Sequence, residues 1–158
     1  MNIVDDLIIR KADPASPDCQ AMIRELDALQ ESLYSAENNY LDSIDELSKA
    51  NCYFVAAYLG KELVGCGALK IVDGEYGELK RMYVAEGQRK RGIGRKLLEA
   101  LEARCASSGI RIVRLETGVL QPEALALYRG NGYKEVGAFG EYSASASNLF
   151  MEKLLLAD

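Results

Sequence analysis

The stretch Gln88-Arg89-Lys90-Arg91-Gly92-Ile93-Gly94-Arg95-Lys96-Leu97-Leu98 does most to limit what this chain can fold into. A basic, glycine-punctuated loop runs directly into an amphipathic helix. Ile93, Leu97, Leu101 and Cys105 recur every four residues with Leu98 beside them, so one apolar stripe has to be buried against another layer. Glycines at the first turn keep side chains away from free backbone N–H groups. Those groups and the positive end of the helix dipole form an anion site that suits phosphate. For the loop alone, a tight turn with solvated Arg and Lys is the competing reading. It is not a Walker A loop, because no Gly-Lys-Ser/Thr closes it. Nor is it the dinucleotide fingerprint, which needs a third glycine at a fixed offset and an acidic residue about 20 positions on.

The segments around the loop predict alternating strands and helices. Leu7 to Arg10 is a short strand, ended by Asp13-Pro14. Ser16-Pro17-Asp18 opens a helix with a cap and an early proline, and Met22, Ile23, Leu26, Leu29 and Leu33 form its apolar face. A short helix through Ile44 and Leu47 follows. Strands over Tyr53–Leu59, Leu63–Val72 and Glu75–Val84 are joined by Gly60-Lys61 and Asp73-Gly74 as a meander. The third of these breaks its period of two between Lys80 and Arg81, which an inserted β-bulge would repair. The Gly92 helix stops at Ser107-Ser108-Gly109. A strand over Ile110–Thr117, a helix over Pro122–Asn131, and strands over Tyr133–Val136 and Leu149–Leu155 complete the chain. This is a mixed α/β order, and the strand–helix–strand unit from Glu78 to Thr117 places its two strands parallel with a right-handed crossover.

Composition removes several classes. A length of 158 residues suits one domain, long enough to bury roughly two-thirds of its unfolded surface. The net charge of −5 argues against a nucleic-acid partner despite the local Arg-Lys-Arg run. Four cysteines stand without C-x-x-C spacing and there is no histidine, so no zinc site or other metal is expected and Ser-His-Asp chemistry is excluded. Cys52, Cys66 and Cys105 sit in apolar runs as core thiols of a reducing compartment. The N-terminus lacks a signal-peptide pattern, and no apolar run reaches the roughly 20 residues that span a bilayer. A cytoplasmic protein without a membrane partner is expected.

The pattern Arg-x-x-Gly-x-Gly (Arg89, Gly92, Gly94) after the strand Glu78–Val84 resembles the pyrophosphate segment of the GNAT superfamily, the acyl-CoA-dependent N-acyltransferases. Downstream, Gln121-Pro-Glu-Ala124-Leu-Ala-Leu127-Tyr128-Arg-Gly-Asn-Gly132-Tyr133 is similar to that family's Asn-x-x-Ala-x-x-Leu-Tyr-x-x-x-Gly-Phe segment. Both motifs come in the family's order, and the element order resembles its fold over essentially the whole chain. The segments Leu-Glu-Thr-Gly and Phe-Gly-Glu-Tyr look like a bacterial branch whose substrates are unsettled. The resemblance implies a single N-acetyltransferase domain over residues 1–158. Its centre would be a twisted mixed sheet of about seven strands flanked by helices, with one parallel pair splayed apart. It also implies acetyl-CoA as cosubstrate, CoA as product, and transfer to the amine of a small molecule such as an amino acid. A protein amine as acceptor, a non-catalytic acyl-CoA-binding or regulatory module, and a homodimer remain open.

On that resemblance the pyrophosphate would sit on Arg89, Lys90, Arg91, Gly92, Ile93, Gly94 and Arg95. The pantetheine arm would pair with the strand edge at Met82, Tyr83 and Val84, and Gln121, standing for the family's asparagine, would reach the same arm. Tyr128 matches the tyrosine that protonates the CoA sulfur, with a helix tyrosine packed on the core as the plain alternative. Without histidine, the base must be a carboxylate, a tyrosine or a chain of waters. Glu78 lies 11 residues before Arg89, the offset of a family glutamate, and otherwise pairs with Lys80 or Arg114. Glu116 is the second candidate, or else a strand-end charge. Tyr34, Glu37, Asn38 and Tyr40, with Phe139, Glu141 and Tyr142 on the late loop, suggest an aromatic, acid-rimmed acceptor pocket. Solvated polar loops are the alternative.

Overall fold

A computed structural model describes residues 6–36 and 43–156. Seven strands form one sheet: β1 (Leu7–Lys11), β2 (Cys52–Leu59), β3 (Glu62–Val72), β4 (Tyr76–Val84), β5 (Ile112–Gly118), β6 (Lys134–Val136) and β7 (Asn148–Leu154). Their spatial order is β1-β2-β3-β4-β5-β7-β6. Only β4 and β5 run parallel; every other neighbouring pair is antiparallel. Helices α1 (Pro17–Leu33), α2 (Ile44–Leu47), α3 (Ile93–Ser107) and α4 (Pro122–Gly130) cover the faces. The predicted element order and the GNAT-like mixed sheet are both present. The late pairing is new: β7 inserts between β5 and β6, which no local pattern announces.

Alternation along the strands sorts the side chains into two layers. Val55, Ala57, Leu79, Val113, Leu115 and Met151 face α3 and α4, where Leu97, Leu98, Leu101 and Tyr128 join them. Phe54, Ala56, Cys66 and Ala68 face α1 and α2, against Cys19, Met22, Ile23 and Leu47. Leu79 and Leu115 fix the parity, so Glu78 and Lys80 on β4, and Arg114 and Glu116 on β5, point to the α1/α2 side.

The β4–β5 ladder is short. It pairs Gly77 with Val113, Glu78 with Arg114 and Leu79 with Leu115, and then stops. Two residues later Arg81 adopts φ +55, and the β3–β4 register slips between Cys66 and Ala68. This is the bulge the broken alternation predicts. Past it β4 stays bonded to β3 through Tyr83 and Val84, while β5 follows β7 to Gly118. The sheet therefore opens between β4 and β5 at their C-terminal ends.

The end of α1 is tied across that opening. Tyr34 is buried; its hydroxyl donates to Gln121 Oε1 at 3.2 Å and accepts from the Leu120 N–H at 3.1 Å. Its ring lies where Gly118 has no side chain, since a Cβ there would sit 1.7 Å from the Tyr34 oxygen. Gly118→Ala should therefore lower stability by about 1–3 kcal/mol, a Tm loss of several degrees in thermal unfolding. Gly130→Ala, in open space at the end of α4, should leave Tm unchanged or slightly raised.

Candidate active site

Three groups of residues surround the opening. The first is the β4–α3 loop. Gly92 caps α3 with φ +84, a left-handed conformation that other residues adopt at a cost. The first helical bond runs from Lys96 N–H to the Gly92 carbonyl at 3.1 Å. The N–H groups of Ile93, Gly94 and Arg95 are thus terminal donors at the positive end of the dipole. Gly94 has a packing reason as well, since a Cβ there would lie 2.9 Å from Leu127 of α4. Lys90 also has positive φ. Arg91 bonds Gln88 at 3.0 Å, and Arg95 pairs with Glu99 at 3.2 Å.

Arg89 does not simply reach into solvent. Its Nε donates to the Val84 carbonyl at 3.0 Å, its guanidinium stands 5.6 Å from the Tyr83 ring centre, and Nη1 is 3.9 Å from Glu123 of α4. The Ala85 N–H bonds Val64 on β3. The Val84 carbonyl of the same peptide therefore points away from β3, into the opening. Met82 packs with the α3-side core, and Tyr83 packs with the α1-side cluster.

The second group is on α4. Tyr128 is buried, stacks edge-on against Tyr133 with centroids 5.9 Å apart, and its hydroxyl has no hydrogen-bond partner among the described residues. Burial pushes its phenol well above the ordinary value of 10, so it stays protonated throughout the neutral range. Tyr133, by contrast, donates to Glu102 at 2.8 Å. The Gln121 carbonyl oxygen is taken by Tyr34 and by Gln30 Nε2 at 3.3 Å.

The third group lies on the α1/α2 face. Glu78 Oε2 accepts from Lys80 Nζ at 3.1 Å, with the two side chains 6% and 10% exposed. The same oxygen accepts from the Tyr142 hydroxyl, which also takes a bond from Lys80. Phe139 packs edge-on against Tyr76, Tyr142 and Phe150, 5.4–5.6 Å between centroids, and fixes the late loop over β4, β5 and β7. Glu116 is half-buried, and burial raises its carboxyl to about 7; the Asn148 amide and Lys80 oppose the rise, and Glu78 adds to it. Residues the sequence reading did not single out line a cleft beside α1 and α2. Arg81 bonds Asp27 of α1, and a cleft of about 270 Å³ lies between α1, α2 and Arg81, edged by Arg24, Asp27 and Asp45. The break in alternation at Arg81 was the available signal. Glu37, Asn38 and Tyr40 lie outside the described residues, and Glu141 is exposed.

Residues 19–133 match the acetyltransferase (GNAT) family model. The chain belongs to the GNAT family. It is an acyltransferase. An IAA acetyltransferase of Azospirillum brasilense is 40% identical over 151 residues, which cover 95% of this chain and 99% of the relative. A Klebsiella pneumoniae structure, solved as a candidate acyl-CoA N-acyltransferase, superposes with a TM-score of 0.84 at 35% identity, over 95% of this chain and 98% of that one. An aminoglycoside 6′-N-acetyltransferase complexed with coenzyme A shares the GNAT fold at 22% identity, with a TM-score of 0.75 over 96% of this chain and 98% of that one. Among the described residues no helix is long and apolar enough to cross a membrane.

The raised Glu116 carboxyl has a sign for folding. Between its ordinary value of 4.5 and about 7 the folded chain holds the proton more tightly than the unfolded chain. Its unfavourable contribution is therefore absent at low pH, grows across that window and is complete above it. Glu116→Gln should raise Tm at pH 8 by on the order of 3 °C and leave it nearly unchanged at pH 4.5, as read by thermal unfolding at the two pH values.

Proposed function

We propose that this GNAT acyltransferase uses acetyl-CoA and transfers the acetyl group directly to the amine of a small molecule, with residues 1–158 acting as one domain. The observation that carries the reading is the opening between β4 and β5, with a basic helix N-terminus at one end and Tyr128 beside it. The N–H groups of Ile93, Gly94 and Arg95, with Arg89 and Arg91 near them, suit a pyrophosphate. The β4 edge, with the Val84 carbonyl turned outward, suits the amide groups of an extended arm, as an added strand would. In this reading the oxyanion donor is the Met82 N–H, since Tyr83, like Ala85 two residues on, turns its backbone groups toward β3.

The residues divide the proton work. A carboxylate on the α1/α2 face takes one proton from the acceptor ammonium and passes it to solvent. The neutral nitrogen then forms the C–N bond at the thioester carbonyl. As the C–S bond breaks, Tyr128 gives its proton to the departing thiolate, and the second nitrogen proton restores the phenol. The net products are the amide, CoA thiol and one released proton. The cleft edged by Arg24, Asp27 and Asp45, with Phe139 and Tyr142 over the neighbouring strands, is the acceptor side. Support for acetyl-CoA comes from GNAT-fold structures solved with coenzyme A or acetyl-CoA. The relative named IAA acetyltransferase makes that compound one member of the acceptor panel beside amino acids and aromatic amines.

Calorimetric titration should show micromolar binding of acetyl-CoA and none of ATP or NAD; absence of acetyl-CoA binding would sink the reading. Thiol release on the acceptor panel then separates an enzyme from a binding module. Tyr128→Phe should lower kcat about 100-fold while leaving the acetyl-CoA Kd unchanged.

A further inference from the structure

We propose that Glu116 is the carboxylate that takes the amine proton, and that Glu78 is a positioning residue whose charge is committed to Lys80 and the Tyr142 hydroxyl. This inference rests on the acetyl-transfer reading above and divides two carboxylates that share one face.

Their places in the ladder differ. Glu78 stands opposite Arg114, inside the stretch where β4 and β5 are still paired. Glu116 is the first β5 residue past the last pair, Leu79 with Leu115, so its side chain stands where the strands part. Their partners differ too. A single oxygen of Glu78 receives both the Lys80 ammonium and the Tyr142 hydroxyl. With two donors on it, that oxygen is not open to an incoming amine. Among the described residues no cation lies within ion-pair distance of Glu116. The groups that face it are Lys80 and Glu78 from β4, Asn148 from β7 and Tyr34 from α1. Burial and the Glu78 charge favour its protonated form, and the Lys80 charge tempers both. Glu116 therefore sits close to the balance between its two forms in neutral solution, as proton exchange with an amine requires.

Glu78 then has a defined task. With Lys80 and Tyr142 it pins the late loop over the splayed strands, and its negative charge tunes Glu116. In the step itself, an acceptor N–H bond breaks, the proton passes to a Glu116 oxygen, and the nitrogen keeps the electron pair that attacks the thioester.

Two measurements test this. Carbon-13 carboxyl titration of the resting protein, which needs no acceptor, should show Glu116 changing charge near pH 7. In Glu78→Gln that midpoint should move to lower pH, because a neighbouring negative charge has gone. The second is the pH profile of thiol release with the fastest amine of the panel. Glu116→Gln should lower kcat at least 100-fold with acetyl-CoA binding intact. Glu78→Gln should stay within about tenfold and shift the acid limb to lower pH. Tyr142→Phe removes one donor from Glu78 without a change of charge; its readout is the Glu116 midpoint, which should stay near pH 7, and it stands in if Glu78→Gln does not fold. A larger loss in Glu78→Gln than in Glu116→Gln, or titration of Glu116 at an ordinary carboxylate value, would overturn the assignment. Loss of acetyl-CoA binding by the wild-type protein would instead overturn the transfer reading.

Discussion

Everything at the site depends on the parallel β4–β5 ladder ending after three residue pairs. A parallel pair is normally buried and continuous, because each unpaired backbone group inside a sheet costs free energy. Here the bulge at Arg81 turns β4 away just past the last pair, while β5 is carried the other way by its long antiparallel register with β7. The result is an opening with a helix N-terminus at its mouth. Neither strand alone creates it; the difference between their outer partners does.

The opening also joins the two faces of the sheet, and the titratable groups are divided between them. Tyr128 lies in the dry α3/α4 layer, where burial holds its proton firmly. The carboxylates Glu78 and Glu116 lie on the opposite face beside Lys80. Burial pushes the Tyr128 phenol well above its ordinary value, whereas Glu116 on the other face is raised only to about 7, so the two groups hold their protons over different pH ranges.

Much of this was legible in the sequence, and the reason is locality. The order of elements followed from period, caps and turn residues. The bulge followed from two consecutive polar residues, and the start of α3 from glycines placed before an apolar stripe. What escaped depended on residues far apart in the chain. Tyr142 reaches Glu78 across 64 positions, Arg81 reaches Asp27 across 54, and Tyr34 reaches Gln121 across 87. The sequence reading named Tyr34 for the acceptor pocket; in the fold its hydroxyl is engaged by Leu120 and Gln121. Glu78 and Glu116 were both visible as strand carboxylates, Glu78 coming first through its offset from Arg89. Only the register shows that one lies inside the paired ladder and the other beyond it.

The bond from Arg89 to the Val84 carbonyl bears on a different problem. A sheet split along its middle exposes an inner edge that is open to any extended peptide, the situation that leads strands to associate edge to edge. Arg89 satisfies the outward carbonyl from within the same chain, adds a positive charge at the gap and closes over Tyr83. The empty fold is thereby shielded at its most adhesive point. Any arm that settles there exchanges a hydrogen bond with Arg89 and does not gain a new one, so its net return at that carbonyl is small. Affinity for a long ligand must then be concentrated at its charged end, which is where the basic loop stands.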